Sequence, residues 1–315
     1  MFQADKSLIT AKIESVYGTD PTPAGATDSL IVKGEPAFEI LGSPRSREVA
    51  MPTFGRLKGV NVGDGMKIAF TTELKHSGTN ETPSRYGPLF GACNMTEAIT
   101  GGTSVAYTPN STMGGASSSI TIWFYIGGVL HKINGARGTF KLNMKAGEIC
   151  TVDWEFTGLY ADNAADIGMA TPTHEAVAPI KCSQLGFTYA SWGGVIEELM
   201  LDIGNTVSPQ KDANSANNGI GQYFISNRES KGSMNPEAVA LGTLNPWNIW
   251  DQTTAANIAL DITASAGNDF AIAVTGANIE IPKYGNRENV LTWELGFNIN
   301  PTIAAGNNEI VITFK

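Results

Sequence analysis

The sequence predicts an all-β chain: two tandem antiparallel β-sandwiches, each with a short flanking helix, plus extended arms or loops. Three observations carry this expectation. Apolar and polar residues alternate with a period of two in many short runs. The 35 glycines punctuate those runs instead of forming one block. An order of motifs in the first half also returns in the second. At 315 residues, 42% of them hydrophobic, the chain can bury one large core or two ordinary ones.

Residues 1–30 read as an N-terminal arm. In KIESVYGTDPTPAGAT (12–27) a short apolar segment runs into Asp20-Pro21-Thr22-Pro23, a stiff tether. Ile9, Ile13 and Tyr17 share a face in a helix or, with Ala11, in a strand, and the pattern leaves the choice open. A sticky element on a tether suits contact with another copy of the chain, and the alternative is that it folds back on its own sandwich.

Residues 31–165 form the first sandwich. KIAFTTELK puts Ile68, Phe70 and Leu74 inward and Lys67, Glu73 and Lys75 outward. A short helix is expected near SRYGPLFGACN. ITIWFYIGGVLHKING folds back at Gly127-Gly128, and GTFKLNMK and TVDWEFTG pair as a hairpin through Ala146-Gly147.

Residues 166–315 form the second, diverged copy, joined to the first through an Ala-, Asp-, Thr- and Pro-rich stretch over 162–179. Val274-Thr275-Gly276-Ala277-Asn278 answers Ile133-Asn134-Gly135-Ala136-Arg137. Leu291-Thr292-Trp293-Glu294-Leu295 answers the TVDWEF run, aligning Trp293 with Trp154. In NPWNIWDQ, Asn245-Pro246 caps a short helix.

The sequence holds no Gly-rich phosphate loop, GxGxxG after a strand, HExxH or GxSxG elbow. Cys93, Cys150 and Cys182 sit among apolar neighbours and read as small buried hydrophobes. His76, His131 and His174 have no metal-ligand spacing. The expectation is a protein that is not an enzyme and takes no cofactor. No apolar run reaches the length of a membrane span and no signal peptide opens the chain, so no membrane contact is expected.

The net charge of -9 falls on one half. Residues 1–160 hold 14 basic and 14 acidic residues, and residues 161–315 hold 7 and 16. An acidic surface resists nucleic acid.

AKIESVYGTDPTPAGATDSLIV, together with SSITIWFYIGGVLHKINGARGTFKLNMKAGEICTVDWEFTGLY, resembles the tail tube (major tail) proteins of long, non-contractile-tailed bacteriophages, the siphophages. The likeness is detailed over the first half and looser over the whole chain. It implies a β-sandwich subunit with a flanking helix that self-assembles into stacked rings, a hollow tube through which DNA is ejected into the host. Implied partners are the chain itself, the tape measure protein and other tail proteins, with DNA passing without specific binding. The implied location is the virion tail, after assembly in the host cytoplasm. With two sandwiches per chain, three copies close a ring of pseudo-six-fold symmetry, and a hexamer is the alternative.

On that footing the arm residues Ile9, Ile13 and Tyr17, and Arg45, Arg47 and Arg56 of the basic loop 41–59, are candidates for contacts between subunits or rings. Asp153, Glu155, Glu280 and Glu294 are candidates for the lumen. As a catalytic pair Asp153 and Glu155 are far less expected than as cross-strand partners of Lys141 and Lys145. The competing readings are a tail-tip or adhesin-like module that stacks sugars on Trp192, Trp247 and Trp250, and a hydrolase on a sandwich scaffold.

Overall fold

The computed structural model describes residues 6–112, 119–263 and 267–315, without the side chains of residues 43, 64 and 162–166. It is built almost wholly from antiparallel strands. In the first half these are β1 (Ser7–Ile13), β2 (Ser29–Leu30), β3 (Val32–Arg47), β4 (Leu57–Glu73), β5 (Met95–Thr100), β6 (Ser104–Pro109), β7 (Ile120–Ile126), β8 (Val129–Lys145) and β9 (Thr151–Asp166). The second half holds β10 (Thr188–Tyr189), β11 (Ile196–Asp202), β12 (Asn205–Lys211), β13 (Ile220–Arg228), β14 (Lys231–Pro236), β15 (Ala256–Ile262), β16 (Phe270–Ile279), β17 (Lys283–Arg287), β18 (Val290–Ile299) and β19 (Ile310–Phe314). The short helices are α1 (Gly25–Asp28), α2 (Gly87–Ala92) and α3 (Pro246–Asp251).

Hydrogen-bonded neighbours run β3-β4-β9-β8-β7-β1 in the first half. They run β11-β14-β18-β16-β15-β10 in the second. The likeness extends to irregularities. The β7–β8 ladder shifts register between Ile120 and Ile122, and β15–β16 does so between Ala256 and Ile258. Opposite those shifts, Gly135 (φ 61°) and Gly276 (φ 73°) turn the backbone through the left-handed region. A side chain at either is strained twice over, since its Cβ would also meet the Tyr17 ring or the Asn300 carbonyl. On either side of this point β8 has different neighbours, β7 along residues 129–136 and β11 along residues 141–145.

The Trp equivalence needs correction. Arg137 lies opposite Thr157 as Asn278 lies opposite Asn298, and Gly138 opposite Phe156 as Ile279 opposite Phe297. By that register Trp154 corresponds to Leu295, and Trp293 lies one pleat earlier. A two-residue slip keeps every side chain on its face, which is why the motif aligned wrongly.

The halves share one buried cluster. β19 crosses back to pair with β6, and β11 pairs with β8. Phe90 of α2 sits at the centre, its ring contacting Tyr107, Phe140, Trp154 and Phe314, which come from both halves. The Asn245 side chain caps α3 by accepting from the Asn248 N–H at 3.1 Å. Trp247 on α3 packs against Trp293. All three cysteines are buried, and burial pushes the Cys93 thiol well above its ordinary range.

The N-terminal segment is not detached. β1 pairs with β7 from Ser7 opposite Ile126 to Ile13 opposite Ile120. Its Leu8, Ile9 and Ala11 are buried. Without β1 the apolar β7 would be an open edge, and the alternating apolar residues of the segment cover it. Buried Glu14 holds the turn that follows, accepting from the N–H groups of Gly18 and Gly135 and from the Ser119 and Thr121 hydroxyls. The tether is fixed as well: the Asp20 carboxylate accepts from the Trp123 indole at 3.1 Å and the Lys132 ammonium at 2.9 Å. Residues 1–5 of the expected arm lie outside the described residues. Lys75 is another correction. β4 ends at Glu73, so strand parity no longer governs Lys75, which is buried and donates to the Glu175 carbonyl at 3.3 Å.

Candidate assembly surfaces

One ladder runs unbroken across both halves in the order β3-β4-β9-β8-β11-β14-β18-β17. Its inner face is apolar: Ile68, Phe70, Trp154, Phe156, Phe140, Leu142, Leu199, Leu201, Met234, Leu295 and Phe297 are buried. The alternate residues face outward and are mostly polar, with Ala69 and Met200 among the exceptions. Along one row Asp153 stands opposite Lys141, Lys141 opposite Asp202, Asp202 opposite Lys231 and Lys231 opposite Asn298. The period of two then puts Glu155 on this face beside Asp153, and Glu294 on it with Asn298. Glu280 joins them through a 3.4 Å hydrogen bond from the Asn298 side chain. The four acidic candidates therefore share one sheet face.

That face alternates in sign. Glu155 pairs with Lys67 of β4 at 2.8 Å, and Asp153 accepts from the Thr71 hydroxyl at 2.6 Å and the Asn143 amide at 2.7 Å. The expected partners go elsewhere: Lys141 approaches Asp202 at 3.9 Å and Lys145 approaches Glu148 at 3.7 Å. β4 supplies the nearer cation, which the sequence could not show because β4 lies far away along the chain. Glu294 stands opposite Lys283.

Arg45 and Arg47 lie on β3, and Arg56 precedes β4, in a hairpin that projects from the sheet. Val49, Met51, Phe54, Leu57 and Val60 on the same projection are exposed, Phe54 entirely. Of the N-terminal candidates, Ile9 is enclosed in the chain's own core and only Ile13 keeps a substantial exposed surface, at 41%. The Tyr17 hydroxyl accepts from the Tyr223 N–H at 2.7 Å. The projecting part falls close to the loop 41–59 read from sequence, but much of it is strand, β3 running to Arg47 and β4 starting at Leu57.

Other chemistry is sparse. Trp192 is half-buried and Trp247 stacks within the fold, so of the three expected sugar platforms only Trp250 is open, at 41%. Titratable groups converge where Arg85 approaches Glu175 at 3.8 Å beside Lys75. There burial raises the Glu175 carboxyl and lowers the Lys75 ammonium, and the cluster ties the segment between the halves to α1 through the Arg85 bond to Ala26. Among the described residues no group of His, Cys, Asp and Glu is arranged to hold a metal, and no helix is long and apolar enough to cross a membrane.

The family model for phage tail tube proteins matches residues 4–314. The chain belongs to the phage tail tube protein family. Membership makes it a structural component of the virion tail and speaks against an enzymatic role. Curated proteins contain no match to it. Within this tail tube protein, the outward sheet face and the projecting hairpin are the two candidate assembly surfaces that hold the sequence-predicted site residues Asp153, Glu155, Glu280, Glu294, Arg45, Arg47 and Arg56.

Proposed function

We propose that the chain is the repeating subunit of a siphophage tail tube, closing head-to-tail into rings that stack around a channel for DNA ejection. The observation that carries this reading is the unbroken ladder β3-β4-β9-β8-β11-β14-β18-β17, which joins both halves into one broad sheet with a buried apolar face and an exposed polar face. In this reading each half is one copy of a tube unit, residues 31–165 and 166–315, and three chains form a pseudo-six-fold ring. Hexamers of the full chain are the alternative. The polar face, with Asp153, Glu155, Glu280 and Glu294, turns to the lumen. Its mixed signs keep phosphates from gripping it without filling the channel with one field.

The β3–β4 projection, with Arg45, Arg47 and Arg56 beside its exposed apolar side chains, reaches a neighbouring subunit or ring. Ile13 adds a smaller contact. The tape measure protein occupies the channel until DNA replaces it, and assembly takes place in the host cytoplasm. Negative-stain microscopy and sedimentation of the purified chain over rising concentration test this. Rings or tubes are expected, and discrete monomers at every concentration would overturn the reading.

A further inference from the structure

The chain contains a finished example of the contact its outer edges lack. β11 adds to β8 with Glu198 opposite Lys145, Leu201 opposite Leu142 and Asp202 opposite Lys141. These two strands have counterparts at the ends of the ladder. β3 stands to β4 as β11 stands to β14: Glu39 faces Lys67 as Asp202 faces Lys231, and both ladders shift register at matching points, between Lys33 and Ala37 and between Ile196 and Leu199. β17 stands to β18 as the end of β8 stands to β9, with Lys283 facing Glu294 as Lys141 faces Asp153. β3 and β17 are the terminal strands of the ladder: among the described residues the register of β3 runs only with β4 and that of β17 only with β18, which leaves each an outer edge.

We propose that β17 of one copy adds to β3 of the next as an antiparallel strand in the register of the internal β8–β11 junction: Glu35 opposite Arg287, Phe38 opposite Tyr284, Glu39 opposite Lys283. This rests on the tube reading and specifies its lateral contact. Charge complementarity favours a second copy of this chain as occupant, since every acid-base pair of the internal junction is reproduced with its sign. Exposure points the same way. Leu201 and Leu142, paired inside the chain, are 2% and 1% exposed, whereas Phe38 and Tyr284 are 38% and 61% exposed. An aromatic pair across an antiparallel junction gains from that burial. Pro36 falls within the β3 bulge, where a missing N–H is tolerated. Arg287 already contacts Glu197 at 3.2 Å, so Glu35 completes a cluster and Glu39–Lys283 is the simple pair. The contact uses different edges on the two copies, and such a heterologous interface closes rings.

The test is reciprocal charge reversal read by the concentration at which tubes form. Glu39→Lys and Lys283→Glu each raise it about tenfold, and the double variant returns it to within about twofold of the parent. As a second measure, Glu39→Cys with Lys283→Cys, oxidised after assembly, links chains into ladders on a non-reducing gel, while Glu39→Cys with Asn286→Cys does not. Parent-like tubes from either single reversal, a double variant without rescue, or an unlinked Glu39–Lys283 cysteine pair in intact tubes overturn the register and leave the tube reading standing. A parent chain that never assembles overturns both.

Discussion

Two hairpins leave the broad sheet at matching places, and they differ in what covers them. β12–β13 follows β11 and leads into β14, as the outer parts of β3 and β4 extend the first half. β12–β13 is pinned to the first half of the chain. Tyr223 and Ile220 bury against Leu159, with Tyr17 and Val207 alongside. The Arg137 guanidinium donates to the Tyr223 carbonyl at 3.0 Å and lies 5.3 Å from the Tyr17 ring centre. The β3–β4 projection has apolar side chains too, but Val49, Met51, Phe54, Leu57 and Val60 are open to solvent. A hairpin with its partner in the same chain becomes part of a core. One whose partner is absent stays exposed, and exposed apolar clusters mark interaction surfaces.

The contrast can be broken in steps. Removing residues 43–62 and joining Gly42 to Gly63 through an Asn-Gly turn should abolish tubes in sedimentation while moving the melting temperature of the monomer by less than about 2 °C. A large loss of stability would make the projection part of the fold. Tyr223→Ala on the pinned hairpin should cost about 3 kcal/mol in urea unfolding, whereas Phe54→Ala on the free one should stay within about 0.5 kcal/mol. Equal costs would erase the difference between the hairpins.

A third, smaller effect belongs to the pinned side. Burial pushes the Tyr17 phenol from 10.0 up to about 12, against a lowering by its hydrogen bond from the Tyr223 backbone. Because the folded value lies above the unfolded one, the folded state holds this proton more tightly. The stabilisation is complete below pH 10 and is lost as the pH rises toward 12, by about 2 kcal/mol. Tyr17→Phe should flatten that part of the alkaline stability curve, and an unchanged slope would contradict it. Smallest is the triple reversal Arg45→Glu, Arg47→Glu, Arg56→Glu. It should raise the assembly concentration about threefold at low salt, with the difference fading as salt screens the charges; a salt-independent defect would mean the arginines act by packing.

Much of the strand pattern is legible in the sequence, because alternation such as Phe140, Leu142, Met144 against Lys141, Asn143, Lys145 reports which face is buried wherever a strand is half-covered. The turns at Gly127-Gly128 and Ala146-Gly147, and the Asn245 cap of α3, are legible for a local reason: each depends on two or three adjacent residues. What escapes is long-range. The segment at Leu8, Ile9 and Ala11 looks detachable until β7 is seen to lack a neighbour, and the pairing of Glu155 with Lys67 depends on the β4–β9 ladder. β12–β13 escapes because its polar, Asn-rich turn reads as a loop, and its hold on the first half comes from Tyr17 and Arg137, far away in the chain. The four acidic candidates share a face, but only the β8–β11 junction brings Asp153 and Glu155 into one sheet with Glu280 and Glu294.

A cryo-EM reconstruction of tubes assembled from the purified chain tests the central claim most directly. The account predicts three chains per ring, the face bearing Lys67, Asp153, Glu155 and Glu294 toward the channel, and Glu39 of each chain beside Lys283 of the next. Rings with the apolar projection lining the channel, or with β3 and β17 both facing solvent, would contradict it.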